Sequence, residues 1–387
     1  MPPLFYWLNI YMKINFDINH FMVDYWQRQP LVIRQGIEPF PDLLSPEELA
    51  GLAMEEEVQS RIVTNHRGNW QAISGPFEQF EKLEQNASTL LVQATNHWHP
   101  NCSQLAELFH FIPNWRFDDV MVSYATEQGG VGPHIDQYGV FIIQGSGSRH
   151  WKVGACQPLC EFATGDGLKQ CEEFKPVIDT VLNTGDILYI PPGCPHCGIS
   201  LSPSMSYSVG FRAPDQRELF NAFADYLLDD EQNYSRYSDP ELSNDHAWGE
   251  ITRHQQQKLM GLMQNMVNDS RLMRDFFGRF FSATQRDINV LPLDEQSRIN
   301  TTELISTLNH GISLHRVEGL KVLYLQGLNE LFIDGESYPF SANAESYRLL
   351  ANQMSLNLTH LSKAISDPEF TGLLTQWVNS GFWYWNE

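Results

Sequence analysis

The residues best suited to chemistry in this chain are a histidine and an aspartate two positions apart, His134 and Asp136. They lie in a β-rich stretch and follow a glycine-rich loop, GGVGP at 129–133, which allows backbone to approach a ligand. In a strand, side chains two residues apart share a face, so the imidazole and the carboxylate can bind one ion together. Two histidines and one carboxylate form a facial triad that leaves positions open on Fe(II) for a cosubstrate and O2. His196, which follows the apolar run ILYI at 187–190, is the predicted third ligand.

Other clusters of metal-binding residue types are less well arranged. His97 and His99 have a suitable spacing, but their aromatic helix-to-loop surroundings favour structural or surface histidines. Cys156, Cys160 and Cys171 are not completed by a second regular pair, as a four-ligand zinc site would require. The six cysteines show no disulfide-framework spacing, which favours free thiols and a reducing compartment.

Cys194 and Cys197 flank the predicted ligand His196 and match the C-x-x-C motif of thiol–disulfide oxidoreductases. In those enzymes the first cysteine lies at a helix N-terminus, where the helix dipole lowers the pKa of its thiol. The following segment, GISLSP at 198–203, does not predict a helix. Thiol redox chemistry is therefore a weaker alternative to the metal site.

Arg149 is the candidate binding residue for an anionic cosubstrate. It lies with HWKV at 150–153 on a predicted strand, and a guanidinium there can bind the distal carboxylate of 2-oxoglutarate through two hydrogen bonds. Without the metal site, an ordinary surface arginine would be the simpler interpretation. A hydroxyl partner can come from Ser123, or from Ser206 or Ser208.

The elements that must position these residues are short strands. β-rich runs separated by Gly and Pro fill residues 117–212, without helices long enough for parallel crossovers. Six or more strands at this spacing predict an all-β barrel or sandwich. Residues 13–100 mix helices with short strands, and SPEE at 45–48 is a helix start with a capping box.

Helical periodicity replaces the β pattern after residue 214. Asp215 and Glu218 form a predicted capping box, and helical patterns continue to about residue 282. One face of them carries a stripe of apolar side chains: Leu259, Leu262, Met263 and Met266. Such a stripe predicts a core or helix–helix contact, so this block is interpreted as an oligomerisation or packing module.

The last hundred residues look like a small separate domain. Helices are predicted near 301–309, 343–354 and 367–379, with a hairpin-like stretch at 315–340. Helices with a β-wing indicate a winged helix. Residues 290–387 carry eleven acidic and five basic side chains, however, which favours a structural or protein-contact role over DNA binding.

The charge of the whole chain also argues against binding to nucleic acid. The net charge is −22, from 25 basic and 47 acidic residues, which disfavours direct nucleic-acid binding. This charge either favours a basic protein partner or serves solubility alone. No apolar run reaches the roughly 18 residues that span a bilayer, so no membrane association is expected. The apolar start lacks the features of a signal peptide, and translation can begin at Met1 or Met12. A cytoplasmic location is expected.

Three longer segments resemble the JmjC-type ribosomal oxygenases of bacteria: GGVGPHIDQYGVFIIQG at 129–145, GDILYIPPGCPHCG at 185–198 and YSVGFRAP at 207–214. NHWHP at 96–100 and VNSGFWYW at 378–385 are similar too. The resemblance covers residues 13–387. It departs at Ala125, where a small hydroxyl residue is expected, and at Cys194 and Cys197, which are unusual beside the third ligand.

The resemblance implies a mixed α and β architecture built on a double-stranded β-helix of the cupin or JmjC type. The domains expected are an α/β scaffold packed on the barrel (1–100), the catalytic β-helix (101–212), a helical dimerisation region (213–285) and a winged-helix-like domain (286–387). His134, Asp136 and His196 map onto the iron ligands, and Arg149 onto the residue that binds the distal carboxylate of 2-oxoglutarate. A homodimer is expected.

The implied reaction consumes 2-oxoglutarate and O2, releases succinate and CO2, and hydroxylates a protein side chain, here an arginine of a large-subunit ribosomal protein. The alternatives are a related histidyl hydroxylase of ribosomal proteins and a cupin-like binding protein without turnover. For an arginine substrate, a carboxylate must hold the guanidinium. Asp119 shares a strand face with Met121 and Ser123 and is the candidate, although it can equally end a helix or cap a turn.

Overall fold

The computed structural model describes residues 11–81, 83, 87–163, 168–229, 234–284, 286, 288, 290–341 and 344–385. The question of a start at Met1 or Met12 concerns residues 1–10 and lies outside that part of the chain. The chain divides into two compact units, Met1–Ala213 and Pro214–Glu387. Each is described by itself.

The first unit is mainly β-structure. Its helices are α1 (Ile18–Asp24), α2 (Pro46–Leu52) and α3 (Pro100–Glu107), with short 3-10 turns at Thr95–His97 and Asn114–Arg116. Its strands are β1 (Leu31–Ile33), β2 (Ser60–His66), β3 (Asn69–Ser74), β4 (Ser88–Val92), β5 (Phe117–Ala125), β6 (His134–Ile135), β7 (Gly139–Gln144), β8 (Ser148–Gly154), β9 (Glu161–Ala163), β10 (Lys169–Cys171), β11 (Pro176–Asn183), β12 (Ile187–Ile190), β13 (Pro195–Ser200) and β14 (Ser204–Phe211).

The strands of the first unit form two main antiparallel sheets, besides the pair β9 and β10. The larger runs in the order β1-β12-β7-β14-β5-β4-β2-β3, and the smaller in the order β11-β8-β13-β6. Side chains from both sheets line one cavity, so the sheets face each other as the predicted double-stranded β-helix requires. Strands β2 to β4 extend the larger sheet because β4 pairs with β5, which joins the N-terminal segment to the barrel.

Apolar side chains on the outer face of the larger sheet hold the first unit together. Phe141 packs against Tyr189 of the neighbouring strand, Phe21 of α1 and Phe109, which follows α3, and Phe21 also packs against Tyr189. The ring centroids of these tilted or edge-on pairs lie 4.8 to 5.2 Å apart. All four rings are almost fully buried. Helix α2 begins with the predicted capping box of Ser45 and Glu48, which directs its buried leucines onto this core.

The second unit contains the predicted helices and a β-wing. Its elements are α4 (Gln216–Asp229), α5 (Arg253–Asn268), α6 (Ser270–Ser282), α7 (Thr301–Asn309), β15 (Leu314–Arg316), β16 (Val322–Tyr324), β17 (Glu330–Ile333), β18 (Glu336–Pro339), α8 (Ala344–Asn352), β19 (Ser355–Leu356), α9 (Leu358–Leu361), α10 (Pro368–Asn379) and β20 (Trp383–Tyr384). The predicted box of Asp215 and Glu218 caps α4 through reciprocal bonds of 2.8 Å. Strands β16, β17 and β18 form the wing.

The apolar stripe of α5 does not enter the core of this unit. Met263 is 66% exposed and Leu259 44% exposed, and α5 has no buried residue among those described. The core interpretation of the stripe is therefore wrong for the single chain, and the oligomerisation interpretation stays a prediction. No helix in the described ranges is both long and apolar enough to cross a membrane.

Candidate active site

The three predicted metal ligands meet at one end of the barrel. His134 in β6 lies directly opposite His196 in β13, and Asp136 follows β6 by one residue. The carboxylate oxygen Oδ2 of Asp136 lies 3.7 Å from Nε2 of His134 and 3.6 Å from Nε2 of His196. One potential ligand atom from each residue lies within 4.8 Å of the other two. Among the described residues, this is the group of His, Cys, Asp or Glu side chains that is close enough together to hold a metal ion.

Backbone carbonyls orient both imidazole rings. Nδ1 of His134 lies 3.0 Å from the carbonyl oxygen of Gly132, and Nδ1 of His196 lies 3.1 Å from that of Cys194. A carbonyl only accepts, so each Nδ1 carries the proton and each Nε2 has a free lone pair toward Asp136. This is the tautomer that binds a metal through Nε2.

His196 is also held neutral. It is 2% exposed, and burial, followed by the nearby ring of His134, lowers its pKa to about 4. A neutral ring is the form that donates to a metal ion. Trp151 packs against this ring at 6.2 Å between centroids. Gly198 makes room for Trp151, because a Cβ there would come within 2.7 Å of the indole.

Arg149 lies deep in the same cavity, on β8. Its guanidinium donates to Oγ of Ser123 at 2.8 Å and to Oγ of Ser204 at 2.9 Å, and to the carbonyls of both serines at 3.1 Å. Burial lowers its pKa to about 9, so it remains charged at neutral pH. Within the described chain this buried cation has no carboxylate partner.

The cavity has a volume of about 100 Å³. Several buried polar atoms of its lining residues make no hydrogen bond within the described chain. Oγ of Ser206, Oγ1 of Thr89 and Nε1 of Trp151 have no hydrogen-bond partner among the residues described. Buried polar groups in native proteins are nearly always paired. These atoms therefore indicate a polar ligand between Arg149 and the histidines.

Asp119 lines this cavity together with Met121 and Ser123, as the strand alternation predicted. Its carboxylate also accepts a 3.0 Å hydrogen bond from the amide of Ala94, which stands in the left-handed region at φ 51°. Asp119 thus lines the pocket and caps a turn at the same time, so the two predicted interpretations do not exclude each other. Tyr138 lies near Asp119 and Asp136, and burial, followed by these charges, raises the pKa of its phenol.

Comparison with known proteins agrees with this geometry. Residues 104–219 match a JmjC domain, and residues 262–384 match a ROXA-like winged helix. The chain is 40% identical over 364 residues to the ribosomal protein uL16 3-hydroxylase of Escherichia coli, which covers 94% of this chain and 96% of the relative. The chain belongs to the JmjC-type ribosomal oxygenases. It is thus a 2-oxoglutarate-dependent oxygenase, and the predicted β-helix and winged helix are confirmed.

Further relatives of this ribosomal oxygenase are similar over nearly their whole length. It is 31% identical to a probable ribosomal oxygenase of Haemophilus influenzae, with 94% of each chain covered. A crystal structure of Escherichia coli YcfD matches with a TM-score of 0.92 at 38% identity, over 97% of this chain and 100% of that chain. A structure of YcfD in complex with cobalt and 2-oxoglutarate matches with a TM-score of 0.89.

The cysteines of this oxygenase differ from the prediction. Cys156 and Cys194 form a disulfide bond, so the expectation of free thiols is wrong for these two. Thirty-eight residues separate them, and only the pairing of β8 with β13 brings them together. Cys160, Cys171 and Cys197 are free. Cys194, the first cysteine of the C-x-x-C motif, immediately precedes strand β13 and not a helix, and it is bonded to Cys156 and not to Cys197. The structure therefore does not support the C-x-x-C hypothesis.

Two contributors to the site were missed at the level of sequence. Tyr138 continues the i, i+2 series of His134 and Asp136, so the period of an extended chain would have found it. Ser204 belongs to the same alternating series as Ser206 on β14, but its bond to Arg149 depends on how β8 and β14 approach across the barrel. No pattern in the sequence shows that distance.

Proposed function

We propose that this protein is an Fe(II)- and 2-oxoglutarate-dependent hydroxylase that acts on an arginine side chain of a large-subunit ribosomal protein. One observation supports it above all: the buried cation Arg149 lacks an anionic partner in the described chain and shares a cavity with the triad of His134, Asp136 and His196. A dicarboxylate that also reaches the triad supplies the missing anion.

The triad fits a resident iron ion. Two neutral imidazoles and one carboxylate are the donor set of non-haem Fe(II) oxygenases, and they leave positions open. His134, Asp136 and His196 would hold the ion. Bound iron supplies O2 activation coupled to the conversion of 2-oxoglutarate to succinate and CO2. The carbonyls of Gly132 and Cys194 keep the two rings in the metal-binding tautomer.

The deep end of the cavity fits the distal carboxylate of 2-oxoglutarate. A guanidinium has five N–H donors, and four bonds to Ser123 and Ser204 hold that of Arg149 in place. The remaining donor and the full charge are available to an anion. Oγ of Ser206, which is buried and lacks a partner among the described residues, offers another hydrogen bond. By fixing the guanidinium of Arg149, Ser123 and Ser204 would thus determine how the bound cosubstrate is oriented.

The mouth of the cavity favours a cationic side chain. Asp119 and Asp136 line the cavity together with Tyr138 and Arg61. A buried guanidinium needs a carboxylate close by, and Asp119, which also accepts the amide of Ala94, is the candidate carboxylate. A neutral histidine side chain gains less from this environment. The relative from Escherichia coli is named a hydroxylase of ribosomal protein uL16, which supports a basic ribosomal protein as the partner.

Peptides from large-subunit ribosomal proteins test the proposal. A peptide with its target arginine kept is expected to gain about one oxygen, roughly 16 Da by mass spectrometry, in step with succinate release. The same peptide with lysine or histidine in place of arginine is expected to gain none. Equal hydroxylation of the histidine peptide would overturn the arginine assignment in favour of a histidyl hydroxylase. Absence of succinate with any peptide would support a binding protein without turnover.

Asp119 is tested in the same assay. Asp119→Asn keeps an acceptor for the amide of Ala94 but removes the charge, so hydroxylation of the arginine peptide should fall while slow uncoupled succinate formation persists. Asp118→Asn on the same strand is the matched control, because Asp118 does not line the cavity. Undiminished hydroxylation by Asp119→Asn would exclude Asp119 as the substrate anchor.

The proposal includes a homodimer in the cytoplasm. The apolar side chains of α5 that face solvent in the single chain support a second copy as their partner: Leu259, Met260, Met263 and Val267. The net charge of −22 supports encounter with a basic ribosomal protein rather than with nucleic acid.

A further inference from the structure

A disulfide bond lies beside the candidate metal centre and has no part in the proposed reaction. Cys156 follows the end of β8, and Cys194 immediately precedes β13, with 4.0 Å between their Cα atoms. Strands β8 and β13 are antiparallel neighbours in which Val153 lies opposite His196. The bond therefore ties the two strands together just beyond the end of their ladder, next to a candidate ligand.

The turn that contains Cys194 contacts two of the three candidate ligands, Asp136 and His196. The amide of Gly193 donates to the carbonyl of Asp136 at 2.8 Å. The carbonyl of Cys194 lies 3.1 Å from Nδ1 of His196, and His196 pairs with His134 across β13 and β6. The turn therefore supports Asp136 and His196 directly, and it supports His134 through the pairing of β6 with β13.

We propose that the Cys156–Cys194 disulfide is a redox-modification site that fixes this turn and strengthens metal binding, and that its reduction weakens metal binding. The inference rests on the proposed function, since it takes the triad as the iron site. Groups that orient metal ligands typically change metal affinity about ten- to a hundredfold when they are lost. A shift of the Cys194 carbonyl acts on His196 in the same way.

The two cysteines differ in their access to solvent, which makes the bond reducible. Cys156 is exposed, whereas Cys194 is fully buried. A thiolate of a dithiol reductant attacks the sulfur of Cys156, the S–S bond breaks, and the thiolate of Cys194 leaves and takes up a proton. The second thiol of the reductant then displaces Cys156 as a thiol, so two electrons and two protons reach the protein and the reductant becomes a disulfide.

Reversal requires an oxidant of the disulfide class, such as oxidised glutathione, by the same exchange chemistry. Disulfides in a reducing compartment are usually transient or redox-sensing. A reversible bond at the edge of the metal centre is consistent with that use. Cys160, exposed and free on the same connection after β8, offers a comparison that removes a thiol without touching the bond.

Cobalt titration of the metal-free full-length protein tests the inference without turnover. Peptide mapping after alkylation first establishes whether Cys156 and Cys194 are linked in the oxidised protein. The oxidised protein and a sample reduced with dithiothreitol, then freed of reductant under nitrogen, are titrated by calorimetry. The reduced protein is expected to bind cobalt at least about tenfold more weakly, and reoxidation with oxidised glutathione should restore the affinity.

Variants separate the bond from general effects of reduction. Cys156→Ser, at an exposed position, should bind cobalt as weakly as reduced protein and should not respond to dithiothreitol. Cys160→Ser should behave as wild type in both states. Equal affinity of the oxidised and reduced protein, or absence of the Cys156–Cys194 link, overturns this inference and leaves the proposed function intact. Failure to bind cobalt in either state overturns the metal centre and both proposals.

Discussion

Replacing Arg149 with alanine is expected to separate cosubstrate binding from metal binding. The guanidinium is 6% exposed and held by four hydrogen bonds from 2.8 to 3.1 Å. Truncating one partner of a buried, hydrogen-bonded charge pair typically costs about 2–5 kcal/mol. At 25 °C this corresponds to an increase of about 30-fold to several-thousand-fold in the 2-oxoglutarate concentration needed for half-maximal turnover. Arg149→Lys keeps the charge but loses the planar array of N–H donors, so its effect should be intermediate.

The assay is succinate formation as a function of 2-oxoglutarate, with cobalt affinity measured in parallel. Cobalt affinity should change little, because Arg149 is not one of the three ligands. Alanine removes the guanidinium that donates to Ser123 and Ser204, so circular dichroism must establish that the variant folds. Lys152→Ala is the matched control, an exposed cation on the same strand. An unchanged 2-oxoglutarate requirement in folded Arg149→Ala would refute the reasoning.

Further outcomes are expected from the same geometry. Asp136→Ala should abolish both succinate formation and cobalt binding, whereas Asp179→Ala, at an exposed position of β11, should preserve both. Ser204→Ala removes the acceptor of the Arg149 Nε proton, which costs about 1–3 kcal/mol, and should raise the half-saturating 2-oxoglutarate concentration at least about fivefold with little change in kcat. Reduction of the disulfide, which spans 38 residues, should lower the free energy of unfolding by about 4 kcal/mol in urea titrations. Met263→Glu should shift a dimer toward monomer in light scattering, and a mass that stays unchanged would contradict the α5 interface.

Much of the fold could be predicted because its signals are local. Short β-rich runs separated by Gly and Pro mark the strands of the barrel, and capping residues such as Ser45 and Asp215 mark where helices begin. The helices predicted near 301–309 and 367–379 agree with α7 and α10 to within a residue. Each of these features depends on neighbours in sequence, so no knowledge of the tertiary structure was needed.

The candidate ligands were also within reach of the sequence, for a different reason. His134 and Asp136 share a face by the period of an extended chain, and a strand ending before His196 offered a third donor. Residue types and spacing thus determined what chemistry was available. Across sixty residues, however, the sequence could only suggest that His196 meets the pair, and the register of β6 with β13 decides it.

The tertiary structure alone decided the features that depend on approach between distant strands. The clamp of Arg149 by Ser204, the single cavity that joins this clamp to the triad, and the bond between Cys156 and Cys194 all arise from sheet pairing and barrel closure. The role of the α5 stripe was misjudged in part for the same reason, since the helical period reports an apolar face but not what covers it. A sequence records each side chain's type and its local period, whereas hydrogen bonds and disulfides require distances of a few ångströms that only the folded backbone sets.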